Sequence, residues 1–394
     1  MNPLLTAESG SKQSTQMLTR DNPVRVCFLI DRLSRAGTET QLLAVIREFD
    51  RRRVEPYLVL LDGEDEQSRA LEPANCPVLR LGVKSFASLG ACRAAIRLGR
   101  FIRRERIEIL QAYFLDSIYF GVPVAKLAGV PRVLRVRNNL GYWLTPKQRL
   151  LGRVYGKFVD LTLTNSEEGR AALIASDHLS AERVAVLENG VDVERFAGFP
   201  PPDTGRPTVR IGAVANLRPV KGLDLFVHAA AEILKSNPNV EFEVAGEGEQ
   251  RAELECLIAE LHLGKRFRLR GALADVPKFL ASLDIAVLCS RSEGMSNALL
   301  EYMAAGRAIV ATRVGANARL IRDGKDGLVI PSEDSAALAG AIEHLIYNPP
   351  LAARLGESAR QRAVESFSRD TMRQRFEQLY HDLRASFSTC SRRR

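Results

Sequence analysis

At 394 residues the chain exceeds the roughly 250–300 residues that a single hydrophobic core serves, so two domains are expected. Apolar residues make up 46% and charged residues 26%, the composition of an ordinary soluble globular protein, and no apolar run approaches the ~20 residues needed to cross a bilayer. The net charge of +9 is unevenly spread: between residues 81 and 160 stand 15 Lys or Arg against 4 Asp or Glu.

A basic excess confined to one region suits an anionic partner. Nucleic acid is disfavoured, because aromatic residues are sparse and no recognition motif is present. An anionic membrane surface or a diphosphate-bearing acceptor fits, as does a plain solvated face. Six cysteines occur (Cys27, Cys76, Cys92, Cys256, Cys289 and Cys390) and none forms a C-x-x-C pair. This is core thiol usage in a reducing compartment, with no zinc signature. A cytoplasmic protein is expected, peripheral on the inner face of the membrane if the basic region docks there.

Residues 1–22 are polar and lack the apolar stretch of a signal peptide, so a disordered tail is expected. From Val24 onward apolar runs and helical patterns alternate. Strands are predicted at 24–30, 57–61, 78–81, 107–111, 132–137 and 161–164, with helices such as 38–51, 85–104 and 117–127 between them. Runs rich in Val, Ile and Leu without clean alternation point to parallel strands covered on both faces. Such βα alternation implies an α/β fold with a doubly wound sheet over 23–196. The pattern breaks at 197–208, AGFPPPDTGRPT, whose four prolines and two glycines mark a linker. It restarts with strands at 209–214, 241–245, 267–270, 285–288, 308–311 and 328–330, a second domain over 209–366. Three helices follow, at 335–347, 351–366 and 369–385.

The most informative segment is 290–306, SRSEGMSNALLEYMAAG. The chain leaves a buried strand, turns through Gly294 and starts a helix near Ser296. Such a helix start aims the N–H groups of Met295, Ser296 and Asn297 beyond the strand end, an arrangement that favours a phosphate. Glu293 lies in the loop and Glu301 about a turn and a half into the helix. A phosphate cradle flanked by two hydroxyl-binding carboxylates suits a nucleoside diphosphate joined to a sugar. The plainer alternative is a βα unit with two solvated glutamates. In 214–222, VANLRPVKG, Lys221 stands at a strand end from which it can reach a diphosphate. In 31–40, DRLSRAGTET, Gly37 precedes Thr38 and Gln41 follows three residues later, the spacing of a capping box.

The 290–306 segment resembles the Glu–seven residues–Glu motif of the retaining glycosyltransferases of family 4, which have the GT-B fold. Other segments match the family in order. VANLRPVKG resembles its G-R-L-x-x-x-K-G loop, with Asn216 where Arg is usual and Arg218 two residues on. LENGVD (187–192) resembles P-N-G-V-D, and Asn165-Ser166 matches its N-S dipeptide, both taken as structural. VGAN (314–317) and DGLVIP (326–331) resemble its last conserved stretch, with Gly315 kept and Arg319 where the family has an acidic residue. VRNNLGYWLTP (136–146) is similar to an R-R-D-L-G-Y-W stretch of polysaccharide-assembling members, in which Tyr142 and Trp143 could stack on a sugar.

The resemblance implies two Rossmann-like domains facing across a cleft, with a C-terminal helix (367–388) crossing back to the first. It implies a hexosyltransferase using a UDP- or GDP-sugar, without a metal, on a saccharide or lipid-linked acceptor in polysaccharide or glycoconjugate biosynthesis. Glu293 and Lys221 are then catalytic. Gly37, Asn216, Arg218, Lys221, Met295, Ser296, Asn297, Glu301 and Gly315 bind the donor. The family's acceptor-side His is absent from ILQAYFLD (109–116), leaving Tyr113, Asp116, Arg137 and Asn138 on that side. Other readings are a GT-B nucleotide-sugar epimerase or hydrolase, and a non-catalytic sugar-nucleotide-binding partner subunit.

Overall fold

The computed structural model describes residues 22–62, 65–138, 145–199 and 207–391. The predicted tail (apart from Asn22), the pair Tyr142 and Trp143 and most of the Pro-rich linker lie outside the described residues.

The first domain runs β1 (Val24–Ile30), α1 (Gly37–Glu48), β2 (Val54–Leu60), α2 (Glu66–Ala70), β3 (Val78–Arg80), α3 (Leu89–Arg104), β4 (Ile109–Tyr113), α4 (Leu115–Ala128), β5 (Arg132–Val136), α5 (Pro146–Phe158), β6 (Leu161–Thr164), α6 (Glu167–Asp177) and β7 (Val184–Val186). All its strands are parallel, in the order β3-β2-β1-β4-β5-β6-β7. The order reverses between β1 and β4, the switch point where a doubly wound sheet opens a crevice at its carboxyl edge. The central strand β1 pairs with both neighbours and is apolar at nearly every position, as a strand covered on both faces must be. β7, a three-residue edge strand with two of its residues only partly buried, is not among the predicted strands.

The second domain continues with β8 (Val209–Val214), α7 (Leu223–Ser236), β9 (Val240–Ala245), α8 (Arg251–Glu260), β10 (Phe267–Gly271), α9 (Val276–Ser282), β11 (Ile285–Leu288), α10 (Asn297–Ala304), β12 (Ala308–Thr312), α11 (Asn317–Leu320), β13 (Leu328–Ile330), α12 (Ser335–Ile346), α13 (Pro349–Phe367) and α14 (Arg369–Ser391). Its six strands are parallel in the order β10-β9-β8-β11-β12-β13. Each sheet is buried on both faces by its own apolar clusters.

The last helix crosses back. After α13, Ser368 bridges Val191, and the Arg369 N–H donates to the Val191 carbonyl at 3.0 Å. α14 then packs on α1 and β1, where the buried Tyr380 ring lies 6.4 Å from Phe28 and 6.1 Å from Phe49. Its hydroxyl donates to Gln111 Oε1 at 2.8 Å, and Gln111 Nε2 donates to the Tyr113 hydroxyl at 2.7 Å. On the opposite face lie α3 and α4, with α5 beside α4 and α6 beside α5.

The capping box expected at Thr38 is not formed. α1 starts one residue earlier with Ala36 as its N-cap and no side-chain bond there. Gln41 instead turns outward to Gly190 and Asn297, partners far away in sequence.

Candidate active site

The carboxyl ends of the two sheets face a shared cleft of about 750 Å³. β11 delivers its floor. Past Leu288 the chain forms a loop in which Glu293 Oε1 accepts from Lys221 Nζ at 2.6 Å and from Ser290 Oγ at 2.7 Å. The loop carrying Lys221 is tied to this one by Arg291, whose guanidinium donates to both Asp224 oxygens at 2.7 Å and to the Pro219 carbonyl at 2.8 Å. That pairing holds the Asp224 carboxyl below its usual range, the Arg291 hydrogen bonds being the main cause.

Backbone packing fixes where Glu293 points. A Cβ on Gly294 would overlap the Asn138 carbonyl oxygen of the first domain, and one on Gly315 would overlap the Glu293 carbonyl. Gly315 also has φ +48°, in the left-handed region that favours glycine. The close approach that Gly315 permits is therefore to the Glu293 loop, whereas the resemblance implied contact with the donor. Gly315 supports that loop from behind and is not among the residues lining the cleft.

Helix α10 begins at Asn297, and Ser296 caps it by accepting from the Leu299 N–H at 3.4 Å. Met295, Ser296 and Asn297 line the cleft at this N-terminus, where the first amides of a helix lack intrahelical acceptors. The Asn297 side chain is committed elsewhere: its Oδ1 accepts from Asn189 at 2.8 Å and Gln41 at 3.1 Å, and its Nδ2 donates to the Gly37 carbonyl at 3.3 Å. A Cβ on Gly37 would come within 2.9 Å of that Nδ2, so the glycine allows this contact between domains. Met295 is likewise held by Asn189, whose backbone N–H donates to its sulfur. Glu301 lines the cleft from α10; burial pushes its carboxyl up to about 7, against the opposing pull of Arg195 and Arg369. Asn216 and Arg218 line the same cleft beside Lys221. Among the described residues no three His, Cys, Asp or Glu side chains gather into a group able to hold a metal ion.

A second cavity of about 440 Å³ adjoins the first domain's side of the cleft; its lining includes Asp31, Tyr113, Phe114, Asp116, Arg137 and Asn138. Asn138 lines both cavities. Two expected acceptor residues are differently engaged. The Tyr113 hydroxyl is buried on Gln111, and burial raises its pKa. The Arg137 guanidinium is almost fully buried and paired with Asp177 at 3.0 Å, alongside Arg135 on the same carboxylate at 2.8 Å. Asp116 is exposed at the first turn of α4. Asp31 was missed as a site residue, although its place directly after the first strand signalled it. Its carboxyl is raised by burial and its Oδ1 accepts from the Ser117 N–H at 2.9 Å. Phe114, between β4 and α4, has φ +61°, a strained conformation for a bulky side chain that turns the chain sharply at the cavity's edge.

Arg319, which stands where the resembled family has an acidic residue, does not line the cleft. It pairs with Glu188 at the end of the first domain, and Arg375 of α14 donates to the other Glu188 oxygen at 2.7 Å. Ser166 caps α6, in keeping with a structural role for its dipeptide.

Residues 35–195 match the family described as Glycosyltransferase Family 4, and residues 205–362 match Glycosyl transferases group 1. The UDP-Gal:alpha-D-GlcNAc-diphosphoundecaprenol alpha-1,3-galactosyltransferase of Escherichia coli is 26% identical over 345 residues, spanning 82% of this chain and 86% of its own. The MMP alpha-(1->4)-mannosyltransferase of Mycolicibacterium hassiacum is 30% identical over 325 residues, spanning 78% of this chain and 77% of its own. The structure of Anabaena HepE in complex with UDP and glucose superposes with a TM-score of 0.79 at 20% identity, over 90% of this chain and 99% of that one, a likeness of fold. By its two matched regions, its relatives over most of their length and its paired parallel sheets, the chain belongs to the GT-B glycosyltransferases.

Proposed function

We propose that this protein is a retaining hexosyltransferase, moving a sugar from a UDP- or GDP-sugar to a saccharide or lipid-linked saccharide in polysaccharide or glycoconjugate biosynthesis. The observation that carries the reading is the Lys221–Glu293 pair, 2.6 Å apart at the floor of a cleft that also holds a helix N-terminus. The named activities of the Escherichia coli and Mycolicibacterium relatives support the transfer chemistry, and the UDP and glucose bound by Anabaena HepE support a nucleotide-sugar donor.

In the proposed reaction the bond from the anomeric carbon to the diphosphate oxygen breaks, and its electron pair leaves with the diphosphate. Lys221, Arg218 and the amides at the start of α10 meet that growing charge, with Asn216 beside them. Glu293 accepts hydrogen bonds from the donor sugar's hydroxyls and opposes the positive charge developing at the anomeric carbon. Glu301 accepts from the ribose. The acceptor oxygen bonds to the anomeric carbon on the face the diphosphate leaves, and its proton passes to the departing phosphate oxygen. No protein nucleophile and no metal enter this scheme. Asn138 and Asp116 are the acceptor-side groups placed to meet sugar hydroxyls, with Asp31, held through Oδ1 by Ser117, beside them. The basic excess over 81–160 suits an anionic carrier or surface on that side.

The test is a thermal-shift and turnover screen of the purified protein against UDP- and GDP-sugars, with Glu293→Ala in parallel. A donor that stabilises the protein and slowly releases nucleotide, with release lost in the variant, is the expected result. No stabilisation by any donor overturns the reading.

A further inference from the structure

The first domain exposes apolar side chains where its cations concentrate. Of nine large hydrophobic residues exposed among the described ones, seven fall between positions 86 and 158, inside the basic region. On α5, Leu150, Val154 and Phe158 stand 61%, 42% and 57% exposed. Their i, i+4, i+8 spacing makes one outward stripe. Lys147, Arg153 and Lys157 are exposed on the same helix. Its inward side is made of the buried Gly152 and Gly156, and a Cβ on Gly156 would come within 2.9 Å of the Arg135 guanidinium. The glycines thus let the helix lie close on the domain and leave its bulky residues facing out.

α3 repeats the pattern. Ala91, Ala94, Leu98 and Ile102 are turned into the core, while Leu89 and Ile96 are exposed among Arg93, Arg97, Arg100 and Arg103. Neither α3 nor α5 contains an Asp or Glu. Both lie on the same face of the first sheet, with α4 and its exposed Leu127 between them.

We infer that this α3–α4–α5 face docks on an anionic lipid bilayer, lying in the interface with its apolar side chains inserted and its cations at the headgroups. Helices with apolar and basic residues interleaved and no acidic ones bind such surfaces by both terms together. No helix of the described residues is long and apolar enough to cross a membrane, and the docking proposed lies along the interface. Nucleic acid is a poorer fit, because five of the six exposed apolar side chains on these helices are aliphatic and Phe158 alone offers a ring on which a base could stack. The face also borders the acceptor-side cavity: Asp116 and Tyr119 of α4 and Gln148 of α5 line it. Docking brings that cavity to the bilayer surface, where a lipid-linked acceptor presents its sugar. This last step rests on the glycosyltransferase reading; the docking itself does not.

The test is sedimentation of the full chain with vesicles of phosphatidylcholine alone or mixed with phosphatidylglycerol. Wild type is expected to pellet with the anionic vesicles at low salt, to stay in solution with the zwitterionic ones, and to be released by high salt. The triple variant Leu150→Ser/Val154→Ser/Phe158→Ser is expected to stay in solution. Arg93→Ala/Arg97→Ala/Arg100→Ala is expected to bind on the order of a hundredfold more weakly. Unchanged melting curves and unchanged donor-induced thermal shifts in both variants separate loss of docking from loss of fold or of donor binding. Wild type that ignores anionic vesicles overturns the inference, as does a serine variant that pellets like wild type. A wild-type dimer dissociated by the serine substitutions, seen by sedimentation velocity, assigns the face to a second copy instead. Loss of donor binding in wild type would count against the glycosyltransferase reading alone.

Discussion

Arg319 and Glu188, 131 residues apart, form an ion pair that fastens the second domain to the end of the first. Arg375 completes a three-way contact by engaging the other carboxylate oxygen, so α14 joins the same fastening. Glu188 stands where the resembled P-N-G-V-D signature has proline, and Arg319 where that resemblance implies an acidic residue. The two departures answer each other. Arg319→Glu is expected to lower stability, and Glu188→Arg with Arg319→Glu to recover part of it. A double-mutant cycle from thermal or urea melts should give a coupling of about 0.5–3 kcal/mol. Additive effects would mean the pair holds nothing.

Lys221→Ala removes the cation nearest Glu293. If Lys221 stabilises the departing diphosphate, kcat falls on the order of 10²–10³-fold, with a smaller rise in the donor KM. Steady-state kinetics with the donor found by screening decides this. An equal rise in KM at constant kcat would make Lys221 a binding residue only.

Gly315→Ala puts a methyl group against the Glu293 carbonyl oxygen and forces a left-handed backbone onto alanine. A stability loss of about 1–3 kcal/mol is expected. Transfer should fall further than stability alone predicts, because the displaced atom belongs to the Glu293 loop. Comparing activity with melting temperature for Gly315→Ala and for Gly324→Ala, which meets nothing nearby yet shares a positive φ, separates the two effects.

Glu301 gives the donor site a pH dependence. Burial lifts its carboxyl from 4.5 to about 7, so the folded protein holds this proton over a range in which the unfolded chain has lost it. Its contribution to stability is therefore full below about 4.5 and declines as pH rises through about 7. Nucleotide binding runs the other way, because ribose hydroxyls donate best to the ionised carboxylate. The donor KM should fall as pH rises through about 7 and level off above. In Glu301→Gln the profile should be flat; the same slope in that variant would assign the titration to another group.

Much of this was legible in the sequence because it is local. Seven consecutive positions announce β1, and the fifteen residues from Val287 to Glu301 hold a strand end, a turn, a helix start and two carboxylates in one stretch. What escaped depends on partners distant in the chain. Thr38 and Gln41 have capping-box spacing, yet Gln41 finds Gly190 and Asn297, 149 and 256 positions away. Gln111 and Tyr113 stand at a strand end facing a cleft, but Tyr380, 269 residues beyond Gln111, draws them into the core. Arg137 carries the right charge for an acceptor, and Asp177 holds it. A side chain's type is written in the sequence, but which of several polar groups reaches it first is decided by packing.

Tyr380 and Met372 belong to the apolar core of the first domain, yet a ribosome makes them after the entire second domain. During synthesis Phe28 and Phe49, stacked on each other, lack the Tyr380 ring that covers both until nearly the whole chain has emerged. The N-terminal half therefore cannot mature ahead of the rest, as leading domains usually do. Expressed alone it should emerge incomplete and prone to aggregate, and recombining halves from different relatives should succeed only when the final helix travels with the first domain it closes.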